Sequence, residues 1–385
     1  MTNDQQFPEI REAVARLCAT FGDSYWRQLD ATSTYPSEFV QALSDAGYLS
    51  VLIPEQYGGS GLPLGAACAV LEEIHRSGGN GGACHAQMYI MGTLLRHGSE
   101  AQKQQYLPAI ASGSLRLQAF GVTEPDSGTD TSRIRTTATR EGDVYIVNGQ
   151  KVFISRTEHS DLMLLLVRTG RREEADRVTD GMSVLLVDMQ EAQKNGLTIK
   201  PIETMMNHAT TELFFDNLAI PVANRVGAEG DGFRCILDGM NAERILIAAE
   251  CIGDARWFTH KSAAYAKQRE VFGRAIGANQ GIQFPIARSH IQTEAAALMV
   301  QQATALFEAG EAAGAAANMA KLLASEAAWA AADTCIQTHG GYGFTTEYDI
   351  ERKFRETRLY QVAPVSTNLI LSHIATRELG LPKSF

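Results

Sequence analysis

Short stretches of this chain carry side chains suited to gripping a phosphorylated ligand. "QREVFGRAIGANQ" (residues 268–280) offers Arg269, whose forked, permanently charged guanidinium matches a pyrophosphate. "QTHGG" (337–341) ends in adjacent glycines, which at a helix end let backbone N–H donors face phosphate. The same pair also serves an ordinary Schellman stop, and on this stretch alone both readings stay open. "FGVTEPDSGTD" (120–130) has Gly and Pro where backbone can approach a ligand, or else simply forms an Asp-Ser-Gly turn. "KVFIS" (151–155) carries an aromatic ring, Phe153, and a hydroxyl, Ser155, in a pattern that a strand with alternating core residues also has. Neither the G-x-G-x-x-G of a dinucleotide fold nor the G-x-x-x-x-G-K-[ST] of a phosphate loop is present.

The elements that must position these residues fall into three blocks. Residues 8 to about 115 read as helical: "PEIREAVARLCATFG" and "YPSEFVQALSDAGYLS" have apolar residues at helical spacing, and the second opens at Pro36-Ser37 and ends at Gly47. Near residue 117 the texture changes to short β-rich runs such as "LMLLLVRT" and "GMSVLLVDM", punctuated by Gly, Asn and Asp. Within them "DVYIVNGQKVFIS" predicts a hairpin with Asn148-Gly149 as its turn. Beyond Pro221 the chain is helical again, with long Ala-rich runs closed by Gly, as in an antiparallel bundle. The expected fold is therefore α+β and multidomain, with an N-terminal helical domain over 1–117, a middle β-barrel or sandwich domain over 118–224 and a C-terminal four-helix bundle over 225–385.

Bulk properties narrow the function. The chain has 385 residues, about right for two or three domains, and 45% hydrophobic with 20% charged residues is a globular composition. A net charge of −10 without a basic cluster argues against nucleic acid. "TGRREEAD" alternates sign and reads as an exposed turn. The six cysteines lack C-x-x-C or paired-His spacing, so no metal site is expected, and reduced thiols in a cytoplasmic setting are the default. The polar, acidic start lacks signal- or transit-peptide character, and no run of roughly 18 apolar residues suggests a membrane span.

Four segments in order, "FGVTEPDSGTD", "NGQKVFIS", "QREVFGRAIGANQ" and "IQTHGGYGFTTEYDIERKFRETRLY" (336–360), together resemble the acyl-CoA dehydrogenase family from about Tyr35 to the C-terminus. The resemblance implies FAD held non-covalently between the β domain and the bundle, with subunit contacts completing the site. It implies that Thr123 touches the flavin with Phe120, Val122 and Gly128 beside it, and that Thr129 stands where a Ser contacts the acyl-CoA. Phe153 takes the place of the family's Trp over one flavin face, and Ser155 that of the Thr whose hydroxyl meets N5. Arg269, Phe272, Gln280, Gln337, Gly340 and Gly341 are implied to reach the FAD of a neighbouring subunit, which makes a homo-oligomer, a tetramer or a dimer, the expected state. Electrons would pass to an electron-transfer flavoprotein.

The family removes a proton from Cα and a hydride from Cβ of an acyl thioester. In medium-chain members the base is a Glu in a Y-E-G-T motif. Here, in "RLYQVAPVSTNLI" (358–370), Pro364 falls on that Glu, while Ser366 and Asn368 fall on FAD-contacting positions. Proline has no N–H, so a backbone donor to the thioester carbonyl goes with the acid. Isovaleryl- and long-chain-type members instead carry the Glu on the first bundle helix, directly before an Arg. In "GMNAERILIAAE" (239–250) that is Glu243-Arg244, and the spacing to Arg269 also agrees. On a rigid helix facing an apolar cleft such a carboxylate would have a raised pKa suited to taking a proton. The ordinary alternative is a helix-face carboxylate paired with a neighbouring base. Glu250 is the reserve candidate, and Asn241 and Arg244 resemble substrate- and CoA-side positions. On the same scaffold an enoyl-CoA reductase, a desulfinase-like lyase or a non-catalytic acyl-CoA- or flavin-binding protein are the alternatives.

Overall fold

The computed structural model describes residues 6–170 and 177–383, so most of the "TGRREEAD" segment (171–176) lies outside the described residues. Helices open the chain: α1 (Pro8–Cys18), α2 (Asp23–Thr32), α3 (Ser37–Asp45), α4 (Leu64–Arg76), α5 (His85–His97) and α6 (Glu100–Ala111). Strands follow as β1 (Leu117–Gly121), β2 (Thr137–Glu141), β3 (Val144–Ser155), β4 (Leu162–Arg168) and β5 (Met182–Asp188). A short helix α7 (Met189–Lys194) precedes β6 (Leu197–Pro201), β7 (Thr210–Pro221) and β8 (Arg225–Val226). Then come α8 (Gly232–Gln268), a small hairpin of β9 (Glu270–Val271) and β10 (Arg274–Ala275), α9 (Gln280–Glu308), α10 (Gly314–His339), α11 (Ile350–Arg358) and α12 (Thr367–His373). The expected order of helices, sheet and helices is present. Among the described residues no helix is long and apolar enough to cross a membrane.

The chain forms two compact units. One comprises residues 33–62 and 82–240, the other residues 1–32, 63–81 and 241–385. The first is built on an eight-stranded mixed sheet in the order β6-β7-β3-β2-β4-β5-β8, with β1 joined in parallel to β4. β4 is buried along its whole length, as its unbroken "LMLLLVR" run requires of a strand covered on both faces. Met163, Leu165 and Val167 point into one core with Leu185, Val187, Leu213 and Phe215.

Asn148-Gly149 is not a hairpin turn. β3 continues through it, and the turn lies earlier, at Gly142 with φ 62°. Two features explain the difference. A Cβ on Gly149 would sit 2.6–2.8 Å from Thr136, so the glycine permits a close approach. Asn148 is used across the strands, its Oδ1 accepting from the Asn217 N–H at 2.9 Å, where the β3–β7 register shifts.

In the second unit α9 packs against α10, and many buried positions on both are small, among them Ala296, Ala297 and Ala303 on α9 and Ala317, Ala320, Ala324 and Ala328 on α10. Gly253 of α8 passes so close to α4 that a Cβ would stand 2.3 Å from the Glu72 carbonyl oxygen. Beside this contact lies a knot of buried charge. Asp254 accepts from Lys353 Nζ at 2.5 Å, from His75 Nδ1 at 2.8 Å and from the Thr357 hydroxyl at 2.6 Å. His75 Nε2 accepts from the Gly81 N–H at 2.9 Å, which assigns the ring proton to Nδ1. Lys353 also donates to the Gly79 carbonyl and Arg352 to that of Gly78, so α11 holds the turn after α4. Asp254, Lys353 and His75 have no exposed surface.

Burial alone would push the Asp254 carboxyl up, but the Lys353 charge and the His75 contact outweigh it and hold the group well below the usual carboxylate range. Its folded pKa lies below its unfolded one. The stabilisation is therefore complete above the ordinary carboxylate range and is lost as pH falls below about 5. Replacing Lys353 with Met strands the carboxylate. Urea unfolding at neutral pH is expected to show about 3–5 kcal/mol lost, with a smaller difference from wild type as the solution is acidified.

Candidate active site

In the sheet unit, the end of β3 is shaped by a bulge. Lys151 pairs with Leu213 and Ile154 with Thr211, so β3 carries one residue more than β7 over this span. The added residue leaves Ile154 in the core and turns Phe153 outward, 64% exposed, at φ 57°. A left-handed aromatic residue costs about 1–3 kcal/mol, which points to a use outside the strand. Ser155 is half-buried two positions on, and Arg156, again left-handed at φ 61°, ends the strand. The continuation of β1 crosses here, with the Val152 N–H donating to the Thr123 carbonyl at 2.9 Å. Phe120, Val122 and Thr123 are thus brought beside Phe153 and Ser155, all half-buried except the exposed ring. Gly128 and Thr129 are exposed in the next turn, which closes through paired backbone bonds between Glu124 and Ser127.

In the helical unit another group converges at one end. Arg269, just past α8, places its guanidinium carbon 6.0 Å from the centre of the Tyr342 ring, next to Gly340-Gly341. α10 does not end in a left-handed Schellman stop. Gly340 has φ 58° and ψ −133°, a conformation open to glycine, and a Cβ on either glycine would meet nothing within 4 Å. Phe272, at the tip of the β9–β10 hairpin, is fully exposed with φ 55°. Gln280 begins α9 and Gln337 lies in the last turn of α10, both exposed. Ser366 caps α12 by accepting from the Leu369 N–H at 3.3 Å, and Asn368 is exposed on that helix's first turn.

Glu243 lies within α8 and is 8% exposed. The next residue, Arg244, donates from Nη1 to Asn241 Oδ1 at 3.0 Å, while its buried Nε has no protein partner. Burial lowers the Arg244 pKa, with the Glu243 charge opposing the shift. Lys321 of α10, fully buried, donates to the Val365 carbonyl at 2.8 Å and fastens the turn that holds Pro364. Its pKa is pushed down to about 8 by burial, against the Cys251 thiol, and Arg244 lowers it further. Glu250, by contrast, has no exposed surface. It accepts from the Tyr360 hydroxyl and lies 3.8 Å from His75 Nε2, within the buried knot. Its carboxylate has no face on which a substrate could sit.

These residues fit FAD. An outward aromatic ring with half-buried hydroxyls suits a flat ring system, and an arginine beside two open glycines suits a pyrophosphate. Two groups escaped the sequence reading, Lys321 and the buried Glu124–Lys151 ion pair (2.8 Å). Their available signal was a lysine inside an otherwise apolar helical or strand pattern.

Known proteins resemble the chain along its whole length. Three family models match in chain order: the acyl-CoA dehydrogenase N-terminal domain over residues 4–114, the middle domain over 119–218 and the C-terminal domain over 230–379. The chain is 36% identical over 379 residues to acyl-CoA dehydrogenase FadE12 of Mycobacterium tuberculosis, covering 98% of this chain and 96% of that one. It is 32% identical over 365 residues to the 3-(aryl)acrylate reductase of Clostridium sporogenes, covering 92% and 95%. Among solved structures, a glutaryl-coenzyme A dehydrogenase in complex with glutaryl-CoA is similar, with a TM-score of 0.90, 30% identity and coverage of 99% and 96%. The chain belongs to the acyl-CoA dehydrogenase family, as a flavin-dependent oxidoreductase with FAD as its cofactor.

Proposed function

We propose that this protein dehydrogenates an acyl-CoA thioester to the trans-2-enoyl-CoA with Glu243 as the base. The observation that carries the assignment is that no Asp or Glu lies between Glu356 and Glu378, the stretch that includes Pro364, while Glu243 sits buried on a rigid helix directly before Arg244. Glu250, the next acid after it along α8, is occupied by Tyr360. When bound, FAD supplies the two-electron acceptor for the Cβ hydride.

The chain's own residues bind, orient and take the proton. Glu243 receives the Cα proton. Thr123, Phe120, Val122 and Gly128 line one part of the flavin site, Phe153 covers a ring face, and Ser155 donates its hydroxyl. Arg269 and the Gly340-Gly341 backbone hold the pyrophosphate, with Phe272, Gln280, Gln337, Ser366 and Asn368 beside them. Thr129, Asn241 and Arg244 take the CoA ester. Pro364 offers no N–H to the thioester carbonyl, so polarisation falls to other donors.

With the base on a helix instead of the loop, the pocket around Cα and Cβ favours branched or bulky acyl chains, and electrons leave to an electron-transfer flavoprotein in the cytoplasm. A second copy of the chain completes the flavin site. The fully exposed Phe272 and the outward Phe284, Ile291 and Leu298, seven residues apart on α9, supply an apolar surface for it. The likeness to an arylacrylate reductase supports a second reading, the same scaffold run towards reduction of the enoyl double bond.

Anaerobic mixing with a panel of acyl-CoAs is expected to bleach the visible flavin band of wild type. Glu243→Gln with FAD still bound should bleach about 10²–10⁴-fold more slowly. Equal rates in both would refute Glu243 as the base, and oxidation of reduced enzyme by enoyl-CoA without bleaching by acyl-CoA would favour the reductase. In the same assay isovaleryl-CoA should outrun straight-chain esters; strict preference for straight chains contradicts the proposed pocket. Sedimentation is expected to give a dimer or tetramer, and Phe284→Glu/Ile291→Glu should shift it towards monomer with loss of FAD.

A further inference from the structure

A lysine with no exposed surface sits in β3 two residues before Phe153, in a strand whose pattern calls for an apolar side chain there. Lys151 Nζ donates to the Val122 carbonyl at 3.0 Å and to Glu124 Oε1 at 2.8 Å. Glu124, itself buried, also accepts at Oε1 from the Thr136 N–H at 3.0 Å and at Oε2 from the Arg135 N–H at 2.6 Å. The Val152 N–H donates to the Thr123 carbonyl. Residues 122, 123 and 124 are therefore each fastened to Lys151 or Val152, and the next residue along β3 is Phe153.

For folding alone the pair is a poor choice. Removing two ions from water is expensive, and apolar residues of similar volume often serve a core as well or better. What such residues lack is direction. A charged pair with several directed bonds fixes the offset between two backbone segments, whereas apolar packing tolerates sliding. The segments fixed here carry Thr123 on one side and Phe153 and Ser155 on the other.

We propose that the Glu124–Lys151 pair is a positioning device for the cofactor: it sets Thr123 against Phe153 and Ser155, and tight flavin binding depends on that offset. The inference rests on the flavin lying against those residues. Three holoenzyme variants test it, Lys151→Met, Glu124→Gln with Lys151→Met, and Ser155→Ala. The readouts are FAD released on dilution, the shape of the visible flavin bands and thermal unfolding. Lys151→Met leaves a buried carboxylate unpaired and is expected to lower both stability and flavin affinity. The double variant removes the stranded charge and should recover thermal stability. It still lacks the tie to Val122, so FAD should dissociate with a constant about tenfold above wild type and with altered bands.

Recovery of wild-type flavin binding together with stability in the double variant overturns the proposal, since the pair would then serve the fold alone. Should the double variant fail to fold, Glu124→Asp decides: it keeps the charge but draws the carboxylate back by one methylene. Looser flavin at an unchanged unfolding temperature supports positioning, and wild-type flavin binding refutes it. Ser155→Ala separates this failure from that of the underlying placement. If Ser155→Ala leaves the flavin bands unchanged, the flavin does not lie there and the proposal falls with that reading. If Ser155→Ala shifts the bands and the pair variants do not, the pair alone is refuted.

Discussion

A charge taken out of water has to be met by donors or acceptors of fixed direction, and this constraint organises both compact units. In the helical unit, Asp254, Lys353 and His75 cannot be satisfied separately, so α8, α11 and the turn after α4 are held in one arrangement. In the sheet unit, Lys151 and Glu124 impose the same condition on β3 and the extension of β1. Apolar burial drives the collapse of each unit. The directional groups select which collapsed arrangement is kept, and in the sheet unit Thr123 and Phe153 stand one and two positions from those groups.

The constraint also separates the two glutamates on α8. Glu243 and Glu250 are seven residues apart and therefore share a side of the helix, and both are buried. Their difference lies in what surrounds them. Glu250 is committed to Tyr360, whereas Glu243 stands beside Arg244. Lys321 fixes the carbonyl of Val365 and so holds the Pro364 turn without contributing an acid to it. On the proposed reading, a base carried by the helix keeps its place by the rigidity of the helix, and the loop is left with only a shaping role.

Much of this was legible in the sequence. Helix order and the β-rich middle follow from apolar period and from Gly and Pro placement, while the signature stretches stand out only by their resemblance to a known family. Register was not. Asn148-Gly149 has the residues of a hairpin turn, and only the pairing with Asn217 and the crowding against Thr136 show why the strand runs on. Lys151 was passed over because a lone lysine in a strand carries no sign of its partner, and Glu124 lies 27 residues earlier. The same holds for Lys321, whose acceptor is a backbone carbonyl and has no signature in the sequence.

The bulge in β3 has a consequence for how this segment can vary. Because one added residue decides that Ile154 points inward and Phe153 outward, the edge depends on a count as well as on chemistry. Another flat apolar ring at 153 or another hydroxyl at 155 leaves the frame intact. Deleting or inserting a single residue between Lys151 and Ile154 inverts the facing of everything downstream to Arg156. The segment is therefore permissive in its alphabet and strict in its length, and a designer could exchange its side chains far more freely than its spacing.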